Sequence, residues 1–385
     1  MNRLRRLRDD ESGMSYVFIG MGMMAFLSAS MLAIDVGMLM TSRNQAQNAA
    51  DAGALAGATA LVFNDWNDRS PGGPAVTQAI LAAKSNDVMG KDVSIDPPDV
   101  TFPNDPTGAP NRVQTMVYRN AAHGNPLSTA IARFFGSPTA DVTATATAEA
   151  SRANAMTCVK PFTIPDRWIE KQTPPWDGND TYDAFDNKGR PLANPDVYIP
   201  ANKPGYTGYN NAANKGQQLV IRAATGSNIT VSFYFSLSIG GMSGTGGDPY
   251  RWNIENCNTT IMHWGEPLIQ EPGAMEGPTI QGADALIAKD PYAYWDNATN
   301  TVKGSMYAHS PRVFPIPLYD PIVYDSGKRN GRTADLVVAN WIGFFLESTQ
   351  GNGLWGRIIP IAGIYDKNAG PAPDGAFPVA IRLVK

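Results

Sequence analysis

Residues Gly13 to Ile34 carry no charged side chain, and no other feature limits the fold of this chain as much. As a helix the run is roughly 33 Å long at 1.5 Å per residue. A bilayer's hydrocarbon core is about 30 Å thick. The expectation is therefore a transmembrane helix over 13–40, preceded by a basic tail over 1–12. Arg3, Arg5, Arg6 and Arg8 lie before the run, and only Arg43 follows it within the next twenty residues. That bias places the N-terminus in the cytoplasm and the bulk of the chain outside. A cleaved signal peptide fits less well, because its apolar core is about 7–15 residues.

Ala25, Ala29, Ala33 and Gly37 recur every four positions and share one helical face. Small residues there let a second helix approach closely, although an Ala/Gly/Met-rich segment also produces such a spacing by composition. Asp35 stands at the outward end and reads as an interfacial acid. Residues 44–61 are alanine-rich and extend the helix beyond the membrane. Gly53 and Gly57, again four apart, suit close packing.

The middle segment, 41–155 with its helical stalk, reads as a small pilin-like α+β unit. Residues 75–89 place Val76, Ala79, Ile80 and Ala83 on one helical face. Short strands are expected at 93–95, 100–102 and 113–118. A helix is expected from Asn125-Pro126 to Phe135, with Leu127, Ile131 and Phe134 inward. Residues 142–148 alternate Val or Ala with Thr, a strand with one polar face.

Residues 156–385 read as a β-rich domain, giving an α+β chain overall. Strand signals lie at 231–239, 336–346, 358–364 and 377–383. Their expected inward sets include Val231, Phe233, Phe235, Leu237 and Ile239, then Phe377, Val379, Ile381 and Leu383. Residues 279–289 are the one expected helix of this domain.

The side chains offer little chemistry. The net charge is -4, which excludes a strongly basic nucleic-acid binder. Three histidines argue against a multi-His metal centre. The run Gly240–Gly247 is neither a nucleophile elbow nor a phosphate loop. His123, His263 and His309 lack a partner motif, and Glu266 and Glu271 around Pro267 are weak evidence for glycosidase chemistry. No enzyme, cofactor or resident metal is expected. Asp177, Asp180, Asp183 and Asp186, with Asn179 and Asn187, supply oxygens suited to calcium. Equally, they suit surface turns that need no ion. Trp252, Trp264, Trp295, Trp341 and Trp355 suit either a recognition face or a core. Cys158 and Cys257 are the only cysteines. Outside the cytoplasm such a pair is expected to form a disulfide.

One pattern is specific. Asp10-Glu11-Ser12-Gly13, the apolar span, Ala33-Ile34-Asp35-Val36-Gly37 and then Gln47 to Ala58 resemble the N-terminal segment of TadE/TadG-like proteins. These belong to bacterial Tad (Flp pilus) assembly systems. Cys158–Phe162 with Ile164–Trp168, Tyr250–Cys257, Glu271–Gly273 and Gly277–Gly282 look like longer members of that family. The resemblance implies an inner-membrane protein with a large extracytoplasmic part, acting in pilus assembly. Two family features are missing. There is no Asp-x-Ser-x-Ser run, so a von Willebrand A-type metal site is not expected. The fifth residue after Gly13 is Phe18 where a prepilin has Glu, so prepilin processing is not expected either. The resemblance thus implies a non-enzymatic assembly component. Its small-residue helix would pack in the inner membrane with pilin-like subunits or other assembly proteins, and its outer domain would make protein contacts. The alternative is an anchored adhesin or glycan-binding module.

Overall fold

A computed structural model describes residues 12–64, 67–186, 188–224, 228–240, 246–329 and 335–384. The basic tail, Asn187 and residues 241–245 of the glycine run fall outside these. The chain forms two compact units, one of residues 1–149 with 382–385 and one of residues 150–381.

The first unit is built on α1 (Ser12–Phe63), a single helix of 52 residues. Its first part is bare: the described side chains of 14–34 are all exposed. From Asp35 onward one face is covered. Asp35, Ser42, Ala46, Ala49, Ala50, Ala54, Ala58 and Leu61 are buried, at the spacing of a single helical stripe. Against that stripe lie α2 (Pro74–Lys84) and an antiparallel sheet. The sheet contains β1 (Val100–Thr101), β2 (Arg112–Arg119) and β5 (Val142–Arg152). In β5 the valine and alanines face inward and Thr143 and Thr145 outward, as the alternation requires. The Thr115 hydroxyl donates to the Ala50 carbonyl at 2.7 Å, tying sheet to helix. Glu149 accepts from Arg112 at 2.7 Å and from Arg382 at 3.1 Å.

The segment expected as a helix over 125–135 is instead a hairpin. β3 (Leu127–Ser128) pairs with β4 (Thr139–Ala140), and the tip holds one 3-10 turn, Ala132–Phe135. Leu127 is buried, but Phe134 is 73% exposed rather than inward. The reason lies in the backbone donors. Thr129 gives its N–H to Pro138 and its hydroxyl to Ser137. The N–H groups of Ala130, Ile131 and Ala132 go to Asp35. These four consecutive donors are thus lost to a helical ladder, and only a single 3-10 turn follows them. Residues 93–95 contribute only an isolated bridge, Ser94 to Tyr118.

The second unit contains a closed β-barrel. The strands of this unit begin with β6 (Ala155–Met156), β7 (Phe162–Pro165), β8 (Gln218–Ala223) and β9 (Phe233–Ser236). Then come β10 (Met262–His263), β11 (Pro267–Leu268), β12 (Tyr294–Asp296) and β13 (Thr301–Lys303). The last are β14 (Val313–Tyr319), β15 (Leu336–Gln350) and β16 (Gly353–Ile359), whereas β17 (Val379–Val384) is the fourth strand of the β1-β2-β5 sheet. β6 pairs with β10, and β12 with β13, outside the barrel. The order β15-β14-β7-β9-β8-β16 returns to β15, and β11 attaches to the start of β15. β15 can serve both neighbours because it is 15 residues long and bulged between Leu346 and Ser348. Gly343 and Gly356 mark where it meets β16. A Cβ on Gly343 would run into the Ile359 carbonyl, and one on Gly356 into the Phe345 carbonyl and the Phe344 ring.

The core gathers Phe162, Ile164, Trp168, Ile316, Trp341 and Phe344 among many others. Full burial of each such side chain contributes about 2–3 kcal/mol. α5 (Glu276–Lys289) covers part of the barrel. Two helices of nine residues had no sequence signal, α4 (Gly247–Glu255) and α6 (Pro321–Arg329). A four-residue turn of helix, α3 (Asn211–Asn214), precedes β8.

Two strand phases differ from expectation. In β9 Tyr234 and Ser236 are buried while Phe233 and Phe235 are half-buried. Covering on both faces removes the contrast that alternation relies on, and Phe235 packs on Tyr319 and Tyr324. In β17 Ala380 is buried, Val379 and Ile381 are half-buried and Leu383 is 43% exposed. The strand expected at 358–364 lies earlier, at β16.

Candidate functional site

The first unit's site is the helix itself. It is apolar enough and long enough to cross a membrane, and none of its most apolar window is buried. Ala25, Ala29, Ala33 and Gly37 all lie exposed on it. Nothing lies within 4 Å of where a Cβ on Gly37 would sit. Gly53 and Gly57 have a different fate. A Cβ on Gly57 would sit 2.8 Å from Val113 Cγ1 and 3.1 Å from Ala79 Cβ. One on Gly53 would sit 3.2 Å from Ala83 Cβ. These two glycines let α2 and the sheet close onto α1 within the same unit.

Among the described residues the second unit carries buried polar clusters, three of which had no role in the sequence-based expectations. The Asp166 carboxylate is fully buried. It accepts from Tyr206 (2.8 Å) and Tyr198 (3.0 Å) on one oxygen, and from the N–H groups of Arg167 (2.8 Å) and Tyr209 (3.2 Å) on the other. Desolvation pushes its pKa up to about 6 against those four donors. Asn340 extends the network, donating to Tyr206 and Gly375 and accepting from Phe377 and Trp341.

Lys160 is the second cluster. Its Nζ donates to the carbonyls of Asn253, Ile254 and Asn256, capping the C-terminal end of α4. Burial, with the nearby Lys289 charge, pushes its pKa down to about 7. The disulfide between Cys158 and Cys257 fastens the same corner, and the Cys158 N–H donates to Asn258. In the third cluster Arg312 donates to the carbonyls of Asp290, Ala293, Leu346 and Glu347. Asp290 in turn accepts from Ser305, Ser310 and the Met306 N–H.

The remaining candidates are scattered. Trp341 lies in the main core, while Trp295 packs on Phe345 in a small separate cluster. Trp264 donates to the Ala339 carbonyl, Trp355 to the Gln350 carbonyl, and Trp252 is 40% exposed. They form no single face. In the acidic loop Asp180 accepts from the Asp177 N–H, and Asp177 from the Asn179 N–H. Asp186 holds Lys188, Arg190 and the Arg190 guanidinium. Among the described residues no group of three or more His, Cys, Asp or Glu is placed to hold a metal ion. His263 sits between Glu266 (2.9 Å) and Asp366 (3.1 Å), which raise its pKa. His123 stacks on Tyr118. A cleft of about 340 Å³ is lined by Arg167, Glu170, Trp176, Thr207 and Asn210, with the Arg167 guanidinium over the Trp176 ring at 4.6 Å.

Residues 13–60 match a family model described as putative Flp pilus-assembly TadE/G-like. Comparison with curated proteins and with solved structures found no match. The matched segment coincides with the bare and the covered parts of α1. It supports a pilus-related role in a membrane setting.

Proposed function

We propose that this protein is a non-enzymatic, membrane-anchored component of a Tad/Flp-type pilus assembly system. The observation that carries the reading is the match over 13–60, which falls on a helix whose first part is apolar and uncovered. The helix spans the inner membrane with its N-terminus in the cytoplasm and the residues that follow the span on the outer side. The exposed stripe Ala25, Ala29, Ala33 and Gly37 packs against the helices of pilin-like subunits or other assembly proteins. The disulfide-linked outer unit makes protein contacts, with no von Willebrand A-type metal site and no resident cofactor.

Deletion in the source organism, with surface pili counted by electron microscopy, tests the role. Rescue by the full chain, and not by residues 43–385 carrying a secretion signal, is the expected result. Normal piliation in the deletion strain overturns it. Ala29→Leu or Ala33→Leu is expected to reduce crosslinking of the anchor to its neighbours in membranes. Unchanged crosslinking counts against the packing stripe.

A further inference from the structure

The geometry points to a second membrane contact: the tip of the β3–β4 hairpin, residues 130–136, rests in the headgroup region of the bilayer that α1 crosses. This rests on the reading of α1 as a membrane anchor.

Three observations converge on it. The first is height along the helix. The bare stretch from Met14 to Ile34 is about 31 Å long at 1.5 Å per residue. That matches a hydrocarbon core of about 30 Å. The next residue, Asp35, is 3% exposed and begins the covered face. Asp35 therefore marks the level at which the helix leaves the lipid.

The second is the attachment of the hairpin at that level. One Asp35 oxygen accepts from Ala130 N–H at 2.7 Å. The other accepts from Ile131 at 2.9 Å and Ala132 at 2.7 Å. Three charge-assisted bonds from consecutive amides fix both position and orientation of the loop. The loop is also closed on itself by the two bonds from Thr129 to Ser137 and Pro138. It is pinned, not merely near.

The third is what the loop displays. Phe134 is 73% exposed, and the Arg133 guanidinium lies 4.9 Å from the centre of its ring. In water a large exposed phenyl ring gains nothing. At the membrane interface an aromatic ring with an adjacent cation suits both neighbours, acyl chains on one side and phosphates on the other. Exposure of Phe134 thus ceases to be anomalous once the bilayer surface is placed where α1 puts it. The occupant of this surface is lipid, continuous with the lipid around the helix.

The test uses the full chain in nanodiscs of phosphatidylcholine and phosphatidylglycerol, with the environment-sensitive dye NBD on one introduced cysteine at a time. The native pair stays bonded as the disulfide. Met24→Cys reports the span, Phe134→Cys the hairpin tip, and Leu81→Cys a distant exposed site of the same unit. Leu81 belongs to α2, which packs near Gly53, about 27 Å along the helix beyond Asp35. Lipids carrying a nitroxide quencher are expected to quench the dye at 24 and at 134 and to leave 81 unchanged. Asp35→Ala is expected to abolish most of the quenching at 134 and none of that at 24.

Quenching at 24 with none at 134 overturns the inference while the anchor stands. No quenching at 24 removes the anchor and the inference together. Full quenching at 134 in the Asp35→Ala protein overturns the assignment of Asp35 as the pin.

Discussion

Replacing Asp166 by Asn should abolish one specific pH dependence of stability in the second unit. Desolvation raises the Asp166 pKa from its ordinary 3.8 to about 6. A shift of two units corresponds to roughly 3 kcal/mol between the protonation states. The sign follows from proton counting. Between about pH 4 and 6 the folded protein holds a proton on Asp166 that the unfolded chain has released. The group's contribution is therefore fully present below about pH 4 and is lost as the pH rises through 6. An amide cannot titrate, yet it fits. Its oxygen would keep the Arg167 and Tyr209 N–H groups, while its NH2 would face the Tyr198 and Tyr206 hydroxyls, which lose their acceptor at a cost that does not vary over this pH range. Urea unfolding of the full chain in nanodiscs, followed by tryptophan fluorescence, gives the stability of both proteins at pH 4 and pH 7. Asp196 is also raised to about 6, but it titrates alike in both proteins and cancels in the difference. The wild-type protein should gain roughly 2 kcal/mol on Asp166→Asn as the pH falls from 7 to 4. A difference that stays constant with pH refutes the reasoning.

Gly356→Ala should destabilise the barrel by at least about 2–3 kcal/mol in the same unfolding assay, because the added carbon meets a backbone carbonyl that cannot move aside. Lys160→Met should cost about 2–4 kcal/mol by leaving the α4 carbonyls without their donor, and faster proteolysis at α4 would report it. Reduction of the disulfide, which closes a separation of 99 residues, should lower stability by about 4–5 kcal/mol in the chain-entropy account. Gly57→Leu should unfold the first unit, read as loss of amide protection in α2, since Val113 and Ala79 already touch the space it would fill.

What was legible in the sequence was local. The uncharged run, the Thr/Ala alternation of β5 and the helix after Gly277-Pro278 each declare themselves within a dozen or so residues. The failures have a common cause in distance or in burial. Of the inward sets expected around β9 and β17, Val231, Leu237 and Phe377 are buried, but within the strands the neighbours Tyr234, Ser236 and Ala380 are buried as well, so polarity does not mark the outside. The helix expected over 125–135 lost its backbone donors to Asp35, some 95 residues earlier. Asp166 looked like any acid before an Arg-Trp pair. Its tyrosines stand 32 and 40 residues downstream and its Asn340 link far beyond them. The role of Lys160 was not legible either, since the three backbone carbonyls that accept from its ammonium have no side-chain identity to read.

The continuity of α1 has a mechanical consequence. It runs 52 residues without interruption, about 78 Å from end to end. Its far end is clamped between α2 and the sheet. Such a helix is a push rod with no joint. A twist or axial pull on its apolar part passes to the folded end through one unbroken ladder of hydrogen bonds, with no hinge between to absorb it.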